Sequence, residues 1–290
     1  MNAIEPSERV EQRSAWPGRL YLAAVVALLW AGLHYVVDAT ALPRGLDRPV
    51  CVFVGDGGVV PAVIVLILLT IGALIGTWLC GRRTGTQGLL VVGFALALWA
   101  THGGTMDEWL KMKNPIPGPP SGAAYVPLLA EYLYWAVVVA AVYALTGRRG
   151  PTANKSSVNL RDGITALIVT AAVAAVLILI LSGPRTGHTY RGQVYFAVAV
   201  SFILGVMAAR RVTGTRRLIW YLPGPLIVGI VGALLAASKP GLGPTYANIS
   251  VIPAWALVRP LPIEMVGVGL VAILLTLRTA DRLSSKEDQN

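Results

Sequence analysis

Charge is scarce in this sequence: only 13% of residues are Asp, Glu, Lys or Arg, against about 25% in soluble globular domains. No polar stretch is long enough to fold as a separate soluble unit. Cysteine is nearly missing. Cys51 falls in a connecting segment and Cys80 at a helix end beside Gly81 and Arg82, on opposite expected sides of a membrane. They are not expected to pair, and the redox compartment stays open. His-Glu-x-x-His and Cys-x-x-Cys are both lacking, so no metal site is predicted and the cofactor is left unknown. Acidic residues are outnumbered, 14 against 24 Lys and Arg, for a formal charge of +10. That excess excludes no partner by itself. Here it argues against nucleic acid, because the basic residues sit in short clusters between apolar runs, as orientation signals of a membrane protein do.

What the chain does have is apolar length. Hydrophobic residues make up 55% of it, in runs that decide the class. Eight segments are long enough, or nearly so, to cross roughly 30 Å of hydrocarbon at about 1.5 Å per residue. They lie near 18–38, 58–80, 87–102, 123–146, 162–182, 192–209, 217–237 and 261–278. The expected fold class is an all-α integral membrane protein with about eight transmembrane helices. Residues 1–17 form a cytoplasmic N-terminal segment, 18–278 a single polytopic membrane domain, and 279–290 a polar cytoplasmic tail. Region 244–258 is also apolar, but Pro253 interrupts it and it carries Asn248 and Ser250, which predicts an interfacial or re-entrant piece.

Lys and Arg orient these helices. With the N-terminus inside, one side collects sixteen basic residues, among them Arg82, Arg83, Arg148, Arg149, Arg210, Arg211, Arg216 and Arg217. The other keeps eight: Arg44, Arg48, Lys111, Lys113, Arg185, Arg191, Lys239 and Arg259. The bias predicts a bacterial-type plasma (inner) membrane protein with both termini cytoplasmic. Ala39-Thr40-Ala41 resembles a signal-peptide cleavage site. The apolar run before it is too long for a signal h-region of about 7–15 residues, so it is read as a retained helix.

Three short patterns occur twice in the same order. Pro127-Leu128-Leu129-Ala130-Glu131 pairs with Pro260-Leu261-Pro262-Ile263-Glu264. Arg82-Arg83-Thr84-Gly85-Thr86 pairs with Arg210-Arg211-Val212-Thr213-Gly214-Thr215, and Pro43-Arg44-Gly45 loosely with Pro184-Arg185-Thr186-Gly187. The pattern predicts a 4+4 parallel internal repeat, with halves near 18–149 and 161–278. Chance similarity among apolar helices is the competing reading.

Ionisable groups gather at one expected end. His34, His102 and His188 fall on the outer side, as do Asp38, Asp107, Glu108, Glu131 and Glu264. Such groups in a bilayer usually face the bundle interior or a wet cavity, so an outward-facing polar cavity is predicted. His34 and Asp38 share one helix face, where a carboxylate orients an imidazole. Glu131 is the deepest carboxylate, beside Tyr132, Tyr134 and Trp135, and suits proton handling. His102 opens His102-Gly103-Gly104-Thr105-Met106-Asp107-Glu108, where glycines let backbone approach a ligand. Arg185, His188 and Arg191 beside glycines suit a phosphate or carboxylate head group, with Arg259 nearby in the last outer segment. Each has a structural alternative: a helix-end hydrogen bond for His34, a basic lipid-contacting turn for Arg185, and a glutamate tied to a loop through Arg191 or Arg259. Tyr221-Leu222-Pro223-Gly224-Pro225 predicts a break near the inner end of the seventh helix.

Partial motifs of multi-pass enzymes are broken here. Pro120-Ser121-Gly122 is followed by Ala123 rather than the histidine of lipid phosphatases, so the sequence itself assigns no family. The expected function is that of a multi-pass plasma-membrane protein with an outward-facing polar cavity; whether it is an enzyme is left open, and an enzyme here would be of transferase or hydrolase type acting on a lipid-linked or extracytoplasmic substrate. The candidate catalytic residues are Glu131, His34, Asp38, His102 and Glu264; Arg185, His188, Arg191 and Arg259 are candidates for substrate binding. One alternative is a small-solute or ion transporter using paired glutamates. Another is a non-catalytic subunit docking a membrane partner through its outer loops. The expected partners are membrane lipids, with a lipid-linked substrate or a partner subunit, and no nucleic acid.

Overall fold

The computed structural model describes residues 21–32, 67, 70, 71, 74, 75, 77, 78, 85–101, 104–113, 121–146, 159–183, 190–240 and 253–287. Nearly all of these are helical. In chain order they form α1 (Tyr21–Gly32), α2 (Gly85–Ala100), α3 (Met106–Lys113), α4 (Val126–Thr146), α5 (Leu160–Leu181), α6 (Arg191–Thr213), α7 (Gly224–Ser238) and α8 (Pro262–Glu287). Helical residues also occur between 67 and 78. Five stretches are long and apolar enough to cross a membrane: Gly122–Leu145, Leu160–Leu181, Arg191–Thr213, Leu218–Ser238 and Pro262–Asp281. Helices α1 and α2 are shorter apolar helices, falling within or over the first and third expected spans.

The most buried span defines the centre. In α8, 67% of the apolar stretch is buried within the protein, against 22% in α5, so α8 is central and α5 peripheral. Helices α2 and α6 both pack against α8, and α5 lies along α6. Helix α4 packs on α7. The α2–α8 contact is close because it is made of glycines: a side chain on Gly267 would meet the Ala97 backbone nitrogen at 2.8 Å. Close backbone approach through small residues is how helices associate where lipid removes the hydrophobic driving force. Val25 and Val26 of α1 pack on Val91 of α2.

Helix ends follow local chemistry. Gly214 stops α6 in the left-handed region (φ 64°), and its N–H donates to the Arg210 carbonyl at 2.9 Å. The Thr213 hydroxyl donates to the Ala209 carbonyl and accepts from the Thr215 N–H. The second Arg-Arg-x-Thr-Gly-Thr copy is therefore a helix stop. The expected break at Tyr221–Pro225 is present: a 3-10 turn at Leu218–Trp220 is followed by a turn, then by α7. The Tyr221 hydroxyl fixes it by donating to the Thr215 carbonyl at 2.6 Å.

The connection 103–122 contains a helix that the apolar pattern does not predict. Helix α3 opens on a capping box: the Thr105 N–H donates to Glu108, and the Glu108 N–H lies 3.4 Å from the Thr105 hydroxyl. Trp109 and Leu110 are fully buried, and the Trp109 indole donates to the Ala124 carbonyl at 2.9 Å. Glu108, counted above among the outer-side ionisable groups, is thus a helix cap. Of the 244–258 piece, residues 253–258 are described, and Ala256–Val258 form a buried 3-10 turn against α5 and α7.

Candidate functional site

The N-terminal ends of α4, α6 and α8 meet the C-terminal ends of α2, α5 and α7. Arg191, the first residue of α6, holds much of this end together. Its guanidinium donates to the carbonyls of Thr101 and Gly104, just beyond α2. Its Nε lies 3.8 Å from the Glu264 carboxylate on α8. One arginine thereby ties α2, α6 and α8. This is the arrangement in which a glutamate is fixed by Arg191.

Glu264 is held twice. As the third residue of α8 it reaches back and accepts the Leu261 N–H at 2.9 Å, one half of a capping box. A carboxylate also suits the positive end of the helix dipole. Glu131 lies deeper along α4, behind the 3-10 turn Gly122–Tyr125. Its Oε1 accepts the Trp135 indole N–H at 3.2 Å. Both carboxyl groups are nearly sealed from solvent, at 1% and 3% exposure.

Tyr132 links them. Glu131 and Glu264 both act electrostatically on its phenol, which is buried. Its hydroxyl has no hydrogen-bond partner among the described residues. The ring is wedged against α7 at Gly229, where any side chain would overlap it. Tyr195 completes the group: its hydroxyl donates to the Ala97 carbonyl at 3.2 Å, and it senses both Glu264 and Arg191. The structure thus brings Glu131, Glu264 and Arg191 into one cluster around Tyr132 and Tyr195.

Arg259 forms a neighbouring centre. It is buried, and its guanidinium donates to the Ser182 carbonyl and, at 3.4 Å, to the Pro253 carbonyl. Gln193 donates to the Leu181 and Gly183 carbonyls at 3.0 and 2.9 Å. Together the two side chains satisfy three carbonyls that the end of α5 leaves without helical partners. A cation there also complements the helix dipole. Burial pushes the Arg259 guanidinium below its ordinary value, although arginine stays protonated at neutral pH. Its Nε has no hydrogen-bond partner among the described residues.

His34, Asp38, His102, Arg185 and His188 lie outside the described residues. Among the described residues no three His, Cys, Asp or Glu side chains converge as a metal-ligand set. Sequence reasoning put Tyr132, Tyr195 and Gln193 near this end but did not single them out as candidate site residues. Their sequence signal was position alone, one residue after Glu131 and within a turn of Arg191.

Comparison with protein-family models, with curated proteins and with solved structures gives no match.

Proposed function

We propose that this is a multi-pass plasma-membrane protein whose carboxylate-bearing end handles a lipid-linked or extracytoplasmic substrate, in a transfer or hydrolysis reaction. The observation that carries this reading is the unequal treatment of two carboxylates around one phenol. Glu264 is answered by Arg191 and by a backbone N–H, while Glu131 is held by an indole N–H deeper in the helix. Two acids in different surroundings are how acid and base roles separate. Glu131 moves the proton, and Glu264 with Arg191 holds the local field. Arg259 donates to the Ser182 carbonyl, two residues before the sequence segment that carries Arg185 and His188, and its Nε is unspent among the described residues. These three groups receive an anionic head group. His34, oriented by Asp38, and His102 are the remaining proton-handling candidates. The orientation is N-terminus and C-terminus inside, in a bacterial-type inner membrane.

Extraction and mass spectrometry of the purified protein test this. Glu131→Gln is expected to retain and accumulate an anionic lipid-linked species that Arg259→Gln loses. If neither protein holds such a species, the reading fails.

A second reading, a solute or ion transporter with paired glutamates, draws on helix packing. Helix α2 lies on α8 of the other half, and α4 lies on α7 of the other half. Within each half, α2 contacts α4 as α7 contacts α8. Thr70 bonds Tyr134 of α4 at 2.9 Å, as α6 packs on α8. This exchange pattern is what a 4+4 parallel repeat about an axis along the membrane normal would produce. Such an axis would make Glu131 and Glu264 mates. Proton- or cation-dependent uptake into vesicles, abolished by Glu131→Gln, would favour this reading over the first.

A further inference from the structure

The end of the bundle opposite the carboxylates carries two adjacent arginines with different fates. Arg210 is spent on the fold: it pairs with Asp281 at 3.2 Å and donates to the Leu277 carbonyl, fastening α6 to α8. Arg211 points to the other side of α6. It is exposed and makes no hydrogen bond or ion pair among the described residues.

Arg211 closes one end of an apolar groove of about 600 Å³ between α5 and α6. Val173, Val176 and Leu177 form one wall; Leu204 and Met207 form the other. The two helices come close here because Gly205 sits against the Thr170 backbone. Ala172 and Ala208 line the groove as small residues and leave its floor hollow. Val176, Leu204 and Met207 are exposed at 55%, 43% and 47%, so no described residue fills the site. From Leu204 to Arg211 the groove runs about 10 Å along the helix, at about 1.5 Å per residue.

The geometry points to an anionic phospholipid, with an acyl chain in the α5–α6 groove and its phosphodiester on Arg211. The chemistry is complementary at both ends. An apolar trough within a membrane span accepts hydrocarbon, and a guanidinium at its basic mouth, paired with no described carboxylate, donates bidentately to phosphate. Arg216, exposed just beyond the end of α6, adds positive potential without lining the groove. Asp281 pairs with Arg210 and does not line the groove. The site stands apart from the carboxylate cluster, at the other end of α6, and depends on neither reading of that cluster.

Native mass spectrometry of the full chain in detergent tests the site, titrating phosphatidylglycerol against phosphatidylcholine with the same acyl chains. Phosphatidylglycerol should bind more tightly. Arg211→Gln should weaken it roughly tenfold, the scale of one charge-assisted hydrogen bond, while leaving phosphatidylcholine unchanged. Arg211→Lys should keep most of the preference, and Arg216→Gln nearly all of it. Ala208→Phe, which fills the floor, should weaken both lipids. If Ala208→Phe fails to fold, the Gln and Lys variants at 211 decide alone. Equal binding of the two lipids, or full phosphatidylglycerol binding by Arg211→Gln, would overturn the proposal. So would a dimer, free of lipid, that Ala208→Phe dissociates, because the groove would then hold a second copy.

Discussion

Replacing Arg191 with glutamine removes the positive charge beside Glu264 and the donors to Thr101 and Gly104. Breaking a buried ion pair from one side costs about 3–5 kcal/mol, because the remaining charge is left uncompensated. Arg191 is 21% exposed and the pair stands at 3.8 Å, longer than a charge-assisted hydrogen bond. Both facts put Arg191→Gln near the low end, about 3 kcal/mol. Glu264→Gln is milder. Glutamine still accepts the Leu261 N–H, as a capping box allows, so the expected cost is about 1 kcal/mol. The double variant should fall short of the sum of the singles by about 1–2 kcal/mol, since it leaves no stranded carboxylate. Unfolding of the purified protein in detergent, followed by circular dichroism across the four-member cycle, measures this. Additivity within about 0.5 kcal/mol would refute the reasoning. So would a larger loss for Glu264→Gln than for Arg191→Gln.

Further outcomes follow from the same geometry. Gly229→Ala pushes into the Tyr132 ring and should destabilise by about 1–3 kcal/mol; adding Tyr132→Leu should recover part of the loss, checked by the same unfolding assay. Thr105→Ala removes one side of the α3 capping box and should cost about 1 kcal/mol, with protease sensitivity rising first near residues 104–113. Gly214→Ala forces a side chain into the left-handed region and should cost about 1–2 kcal/mol in thermal unfolding, while Gly192→Ala, which meets nothing within 4 Å, should change little.

The membrane class was legible because apolar length is a one-dimensional property. The spans from 123 to 278 needed only residue counting, and the break at Tyr221–Pro225 only the chemistry of proline. Helix α3 was not read, although Thr105-Met106-Asp107-Glu108 spells its capping box. Among its described side chains it buries Met106, Trp109 and Leu110, too short a pattern to stand out beside twenty-residue runs. At the site, Pro-Leu-x-x-Glu singled out Glu131 and Glu264, because a carboxylate in an apolar helix is costly wherever it lies. Its partners were less legible. Arg191 is 73 residues from Glu264 in sequence, so only tertiary packing joins them. Tyr132 and Tyr195 read as ordinary aromatic residues of a membrane helix until α7 and α8 close around them. Gln193 carried no charge to mark it, yet it satisfies two carbonyls at the end of α5.

The account depends most on which face of the membrane carries the Glu131–Glu264 cluster. Lys239 ends α7 at that face, and Arg216 lies beyond α6 at the opposite one. With Cys51 and Cys80 replaced by serine, single cysteines at 239 and 216 can be probed in intact cells with a membrane-impermeant maleimide. The expected result is labelling at 239 and protection at 216 until the cells are permeabilised. Labelling at 216 with protection at 239 would turn the cluster toward the cytoplasm and contradict the account.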